Sequence, residues 1–198
     1  MKLFSYEKNT IFYTILDKQY EYFKYEPNKK LILDNLKSYS KNKFLKKGIF
    51  NDNNKLILGR LTHPSGWIDE GEFTNNGKLK YGKKTSPDKR IDEGEFYENG
   101  KLKKGKKEFS SGFIDIGEFN NNGNMKKGIK HHPNGWIEEG EFYENGKLKN
   151  GRIIQNNGWK IEGEFNNSGK KNGYCLVRHD TIGNKDGYYI NGKLLWKK

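Results

Sequence analysis

Six glycines, Gly48, Gly71, Gly94, Gly117, Gly140 and Gly163, stand at a constant interval of 23 residues, and all but Gly48 are followed by Glu-Phe. Eleven residues after each of the first five comes a second glycine: Gly59, Gly82, Gly105, Gly128 and Gly151. A fixed period of this length marks a chain built from adjoining copies of one supersecondary unit, each covering the apolar side of its neighbour. That constraint outranks any local propensity. Between the paired glycines lie Asn76-Gly77, Asn99-Gly100, Asn122-Gly123 and Asn145-Gly146, flanked by short alternating stretches. Asn-Gly accepts the positive φ angles of a type I′ turn, so each unit reads as a β-hairpin.

The odd period constrains the turns. If both connections held two residues, strict alternation would flip equivalent side chains to opposite faces in successive hairpins, so one connection must be odd. The second connection supplies it: Pro64-Ser65-Gly66, Pro87-Asp88-Lys89, Ser110-Ser111-Gly112, Pro133-Asn134-Gly135 and Asn156-Asn157-Gly158 read as three-residue loops ending in a left-handed residue. Lys89 replaces glycine there and is expected to be mildly strained.

This register arranges the side chains in rows. The paired glycines line a furrow on one face, beside a row of Phe73, Phe96, Phe119 and Phe142 alternating with Lys80, Lys103, Lys126 and Lys149. Across the furrow run Asp69, Lys84, Asp92, Lys107, Asp115 and Lys130, then an aromatic row of Trp67, Phe113, Trp136 and Trp159. The opposite face carries Glu72, Tyr81, Glu95, Lys104, Glu118 and Lys127, with Leu79, Leu102, Met125 and Leu148 along one outer row. Burying one phenylalanine contributes roughly 1.5–3 kcal/mol, whereas an exposed ion pair contributes about 0.2–1 kcal/mol, so the stacked rows dominate.

An apolar share of 32% is poor material for a two-layered core, but twelve Phe, twelve Tyr and four Trp at regular spacing imply an ordered, thin protein. Thirty-eight Lys and Arg against 25 Asp and Glu give a net charge of +13, which suits an anionic partner. Cys175 is the single cysteine, so no internal disulfide or cysteine-based zinc site forms and a reducing compartment fits. The first twenty residues hold no apolar run of signal-peptide or membrane-span length; a cytoplasmic, at most membrane-peripheral, location is expected.

The unit GWIEEGEFYENGKLKNG, residues 135–151, resembles the MORN repeat through Gly-Glu-Phe, Asn-Gly-Lys and the following glycine. The matching positions are Gly71, Glu72, Phe73, Gly77 and Gly82, with Gly66 at the closing turn, and their counterparts at 23-residue steps across about residues 44–173. The family's tyrosine two residues before the glycine is acidic here (Asp69, Asp92, Asp115, Glu138). The resemblance implies an all-β fold, an elongated single-layer antiparallel sheet of tandem hairpins, used as a scaffold for protein contacts, self-association or association with anionic phospholipid. Residues 1–43 read as a cap containing a degenerate hairpin, 44–185 as the array, and 186–198 as a closing hairpin.

Carboxylate catalysis at Asp69-Glu70-Gly71-Glu72 is disfavoured, since the same acids recur in every unit opposite lysines. His63 and His132 occupy equivalent positions three repeats apart, too distant to share a metal, so the histidines read as structural and neither metal nor cofactor is expected. The glycines resemble no phosphate loop, because no helix follows them. The expectation is therefore a non-enzymatic scaffold that contacts a protein partner, or a second copy as a homodimer, through Trp67, Phe73, Phe96, Phe113, Phe119, Trp136, Phe142 and Trp159. The alternative is a module for anionic membrane surfaces using Lys80, Lys103, Lys126 and Lys149, read as lacking acidic partners. Nucleic acid ranks below both.

Overall fold

The computed structural model describes residues 44–197; the expected N-terminal cap lies outside them. The described residues form two compact units, divided after Pro87. The first contains β1 (Leu45–Phe50), β2 (Leu56–Thr62), β3 (Ile68–Phe73) and β4 (Leu79–Thr85). The second contains β5 (Ile91–Phe96), β6 (Leu102–Glu108), β7 (Ile114–Phe119), β8 (Met125–His131), β9 (Ile137–Phe142), β10 (Leu148–Ile154), β11 (Trp159–Phe165), β12 (Lys171–His179), β13 (Gly187–Ile190) and β14 (Lys193–Lys197). Within each unit every strand pairs antiparallel with the next in sequence, giving an all-β single layer of consecutive hairpins with no helix among the described residues.

The glycine rows form as the period requires. Gly48 pairs with Gly59, Gly59 with Gly71 and Gly71 with Gly82 in the first unit. Gly94, Gly105, Gly117, Gly128, Gly140, Gly151 and Gly163 continue the pattern in the second. Gly105 shows why the position admits nothing larger. Its φ is +147°, and a Cβ there would lie 2.0 Å from the Glu93 carbonyl oxygen.

The turns differ from the expected pattern. In the β3–β4 hairpin the Thr74 amide donates to Lys78 O (2.7 Å) and the Gly77 amide to Thr74 O (2.8 Å), enclosing the three residues Asn75-Asn76-Gly77. The β2–β3 connection has the same form, with His63 N bonded to Trp67 O and Gly66 N to His63 O. Both connections are therefore odd, and Asn-Gly occupies the last two places of a three-residue loop instead of a type I′ turn. The expected type I′ geometry occurs at Asn191-Gly192, where Ile190 pairs with Lys193 and φ is +50° and +84°. Lys89, as expected from its place in the loop, is held at φ +68°.

Two odd loops would leave the register unrepaired. A bulge repairs it. Phe73 faces Leu79 while Glu72 faces Tyr81, so Lys80 is the extra residue; the same shift recurs at Lys103, Lys126 and Lys149. The bulge overturns one row assignment. Leu79, Leu102, Met125 and Leu148 turn onto the phenylalanine face, where all are buried, and the bulged Lys80 and Lys103 turn out toward Glu72 and Glu95.

Neighbouring hairpins of the second unit are also tied at their turns. Tyr97 Oη donates to Phe119 O (3.0 Å) and Asn99 Nδ2 to Asn121 O (2.8 Å). Two repeats later Tyr143 Oη donates to Phe165 O (2.9 Å) and Asn145 Nδ2 to Asn167 O (2.8 Å). At the opposite ends of the strands Asn156 Nδ2 donates to Asn134 O (2.8 Å).

Candidate interaction surface

Phe73, Phe96, Phe119 and Phe142 do not form an exposed strip. All four are buried, Phe119 to 2% exposure. The furrow beside them is roofed by lysine stems, because a row of glycines leaves space for a long side chain to cross. Lys107 Nζ lies 4.1 Å from the Phe119 ring centroid and donates to Gly123 O in the following turn. Lys130 repeats this, 4.4 Å from Phe142 and 2.6 Å from Gly146 O. Burial pushes both ammonium groups below the ordinary lysine value, and burial likewise raises the Asp115 carboxyl. Charge, ring and turn carbonyl thus hold one another on this face.

The tryptophan row is half-buried at Trp67, Trp136 and Trp159, and Phe113 is the exposed member. Its ends are engaged with histidines of adjoining turns: Phe113 meets His132 edge-on at 5.0 Å, and Trp159 meets His179 at 4.9 Å. His63 bonds Asp69 Oδ2 (2.9 Å), His132 Nε2 lies 3.6 Å from Glu138, and His179 bonds Asn157 O (2.8 Å). His63 and His179 are spent on these bonds.

The expectation that Lys80 and Lys103 lack acidic partners is corrected as well. Lys80 Nζ bonds Glu72 at 2.9 Å and Lys103 bonds Glu95 at 2.7 Å, a bond that also raises the Lys103 ammonium above its usual value. The bulge places these two lysines beside the glutamate of the same hairpin, so two of the four charges are paired in place. Lys149 stands 5.9 Å from the Tyr143 ring, and Lys126 is exposed.

Exposed apolar side chains gather instead on the last hairpin, β13–β14. Tyr188, Ile190, Leu194, Leu195 and Trp196 are all exposed, Leu195 to 59% and Trp196 to 53%. Tyr188 stacks on Trp196 with centroids 4.9 Å apart and meets Tyr174 at a tilt of 60°, 5.3 Å away. The reverse side of the same hairpin is firmly seated: Tyr189 is buried with Cys175 and Val177 against Trp159 and Ile161, and its hydroxyl donates to Lys185 O (2.6 Å).

Alignment by register shows how this surface arises. Tyr188 faces Trp196 as Glu72 faces Tyr81, Tyr189 faces Leu194 as Phe73 faces Leu79, and Leu195 takes the bulged place of Lys80. The glutamate–lysine pair of the ordinary repeat has become tyrosine and leucine. Sequence reasoning classed residues 186–198 as a closing hairpin and passed over this exchange; the departure from Gly-Glu-Phe at Gly187-Tyr188-Tyr189 was the available signal.

Known protein families give no match to this chain, and no similar sequence is found among curated proteins. Among the described residues no helix is long and apolar enough to cross a membrane.

Proposed function

We propose that the chain is a non-enzymatic repeat scaffold of the MORN type that associates with protein through the outer surface of its last hairpin. The observation that carries this reading is the concentration of exposed apolar side chains at Tyr188, Ile190, Leu195 and Trp196 on a hairpin whose other side carries Leu194 and is anchored by buried Tyr189. Contiguous exposed apolar surface on an ordered support usually marks an interface, and Trp and Tyr are the commonest anchors. Elsewhere among the described residues ion pairs such as Arg60–Glu70 and Arg152–Glu139 lie across neighbouring strands. The resemblance of the repeats to MORN units supports a scaffold.

The test compares the chain with Leu195→Ser/Trp196→Ser by affinity capture from source cells and by sedimentation. Specific partners, or a specific oligomer, should be lost while the urea midpoint stays unchanged, because both side chains are exposed. Identical partners and mass for the two proteins would remove the reading.

A further inference from the structure

We infer that Asn122, in the β7–β8 turn, is a site of spontaneous covalent modification, losing its side-chain amide to attack by the backbone nitrogen of Gly123. The site is independent of the β13–β14 surface.

The reaction needs no enzyme. Gly123 N attacks Asn122 Cγ and forms a C–N bond while the Cγ–Nδ2 bond breaks; ammonia leaves with the proton of the Gly123 amide, and a cyclic imide remains. Water then opens the imide at either carbonyl. One opening gives aspartate, the other isoaspartate, in which the main chain runs through the former side chain. Nothing is oxidised or reduced. Asparagine is a thermolabile residue, and glycine in the next place leaves the attacking nitrogen unshielded by any Cβ.

Asn99, Asn122 and Asn145 hold the same place in the β5–β6, β7–β8 and β9–β10 turns of the second unit, and all three are exposed. Each is followed by a glycine whose amide donates to the carbonyl three residues back, at 2.8 Å for Gly100 and Gly123 and 2.9 Å for Gly146. Exposure and nucleophile are therefore alike in the three turns. The side chains differ. Asn99 Nδ2 donates to Asn121 O (2.8 Å), and its Oδ1 accepts from the Lys101 amide (3.0 Å). Asn145 is held in the same way by Asn167 O (2.8 Å) and the Lys147 amide (3.1 Å). Before either can react, Cγ must swing onto the glycine nitrogen, which breaks both bonds.

Two exchanges in the sequence take both anchors from Asn122. Asn120 stands where the other turns have Tyr97 and Tyr143, and its Oδ1 accepts from the Asn124 amide (3.0 Å), the donor equivalent to the Lys101 and Lys147 amides. Asn124 stands where they have Lys101 and Lys147, and its Nδ2 donates to Glu144 O (2.8 Å), the carbonyl equivalent to Asn121 O and Asn167 O. The turn stays closed while the reacting side chain is released.

The product falls on a contact that the fold uses. Lys107 Nζ donates to Gly123 O and lies 4.1 Å from the Phe119 ring centroid. Isoaspartate puts an additional main-chain carbon between Asn122 Cα and Gly123, and so moves that carbonyl away from the ammonium that holds it. The chain thus carries a one-way mark of age at the turn that anchors Lys107.

The full chain is incubated at mildly alkaline pH, with and without urea, and followed by peptide mass spectrometry with fragmentation that separates aspartate from isoaspartate. In the folded chain Asn122 should convert at least about tenfold faster than Asn99 and Asn145, the factor expected for two hydrogen bonds of ordinary net strength. In urea the three sites should convert alike. Asn120→Tyr/Asn124→Lys, which restores both anchors, should slow Asn122 about tenfold. Equal rates at the three sites of the folded chain overturn the inference, as does the same order persisting in urea, since flanking sequence and not fastening would then set the rates. An unchanged Asn122 rate in a folded Asn120→Tyr/Asn124→Lys chain overturns it too. Should that double variant not fold, the comparison of the three sites within the parent chain still decides.

Discussion

Substituting alanine at Gly105 and at Gly77 separates two reasons for glycine in the same hairpin system. At Gly77 φ is +74° and a Cβ would meet nothing within 4 Å, so only the left-handed backbone resists; alanine there costs about 1–2 kcal/mol. At Gly105 φ is +147°, a region that side chains essentially never occupy, which costs about 1–3 kcal/mol. The new Cβ would also stand 2.0 Å from Glu93 O and 2.9 Å from Gly94 Cα, both backbone atoms that cannot swing aside. β5 and β6 would have to part by more than about 1 Å, beyond the range of their ladder bonds. Losing two such bonds adds about 1–3 kcal/mol, for a total of about 2–6 kcal/mol. With an m-value of about 2 kcal/mol per molar urea, the midpoint should fall by about 1–3 M for Gly105→Ala and by less than about 1 M for Gly77→Ala. Repeat arrays can unfold in parts, so amide exchange in β5–β7 is read beside the global midpoint. Equal shifts for the two variants would refute the close-approach argument.

Lys89→Gly should raise the melting temperature, worth about 1 kcal/mol, by relieving the left-handed strain at φ +68°; an unchanged or lowered value in calorimetry would show that the lysine is not strained. Phe119→Ala should cost about 3–5 kcal/mol in urea unfolding, whereas exposed Phe113→Ser should cost under about 1 kcal/mol, and similar losses would contradict the burial pattern. The lowered folded-state value of Lys107 means that the unfolded chain binds more protons between that value and the usual 10.5, so stability contributed by this site rises with pH through that window and is lowest below it. The difference in urea midpoint between the native chain and Lys107→Met, measured from pH 8 to 10.5, should show this slope; a flat difference would rule it out.

The paired glycines and the Glu-Phe that follows them made the strand order and the glycine register legible before any coordinates, because a backbone approach this close excludes every side chain. Which way Leu79 and Lys80 point was not legible. Alternation alone sends them to the wrong faces, and the bulge that corrects them has no residue signature of its own at Lys80, Lys103, Lys126 or Lys149. Asn-Gly misled for a related reason: the dipeptide fits the end of a three-residue loop as well as a type I′ turn, and only Asn191-Gly192 takes the latter. The exposed stripe of phenylalanines failed because a lysine stem is long enough to cross a glycine row, which the spacing of Lys107 and Phe119, twelve residues apart, does not announce. The surface on β13–β14 was written in the sequence but hidden by its reading as a terminal unit.

The bonds from Asn99 to Asn121 and from Asn145 to Asn167 each reach 22 residues ahead, from a side chain in one turn to a carbonyl in the next. Units two repeats apart therefore offer their successors the same fastening, and the unit between them substitutes a bond from Asn124 Nδ2 to Glu144 O. A gene encoding such a chain can gain or shed whole cassettes by recombination and keep the 23-residue interval across the join, whereas a deletion of any other length misplaces the fastenings that span the join.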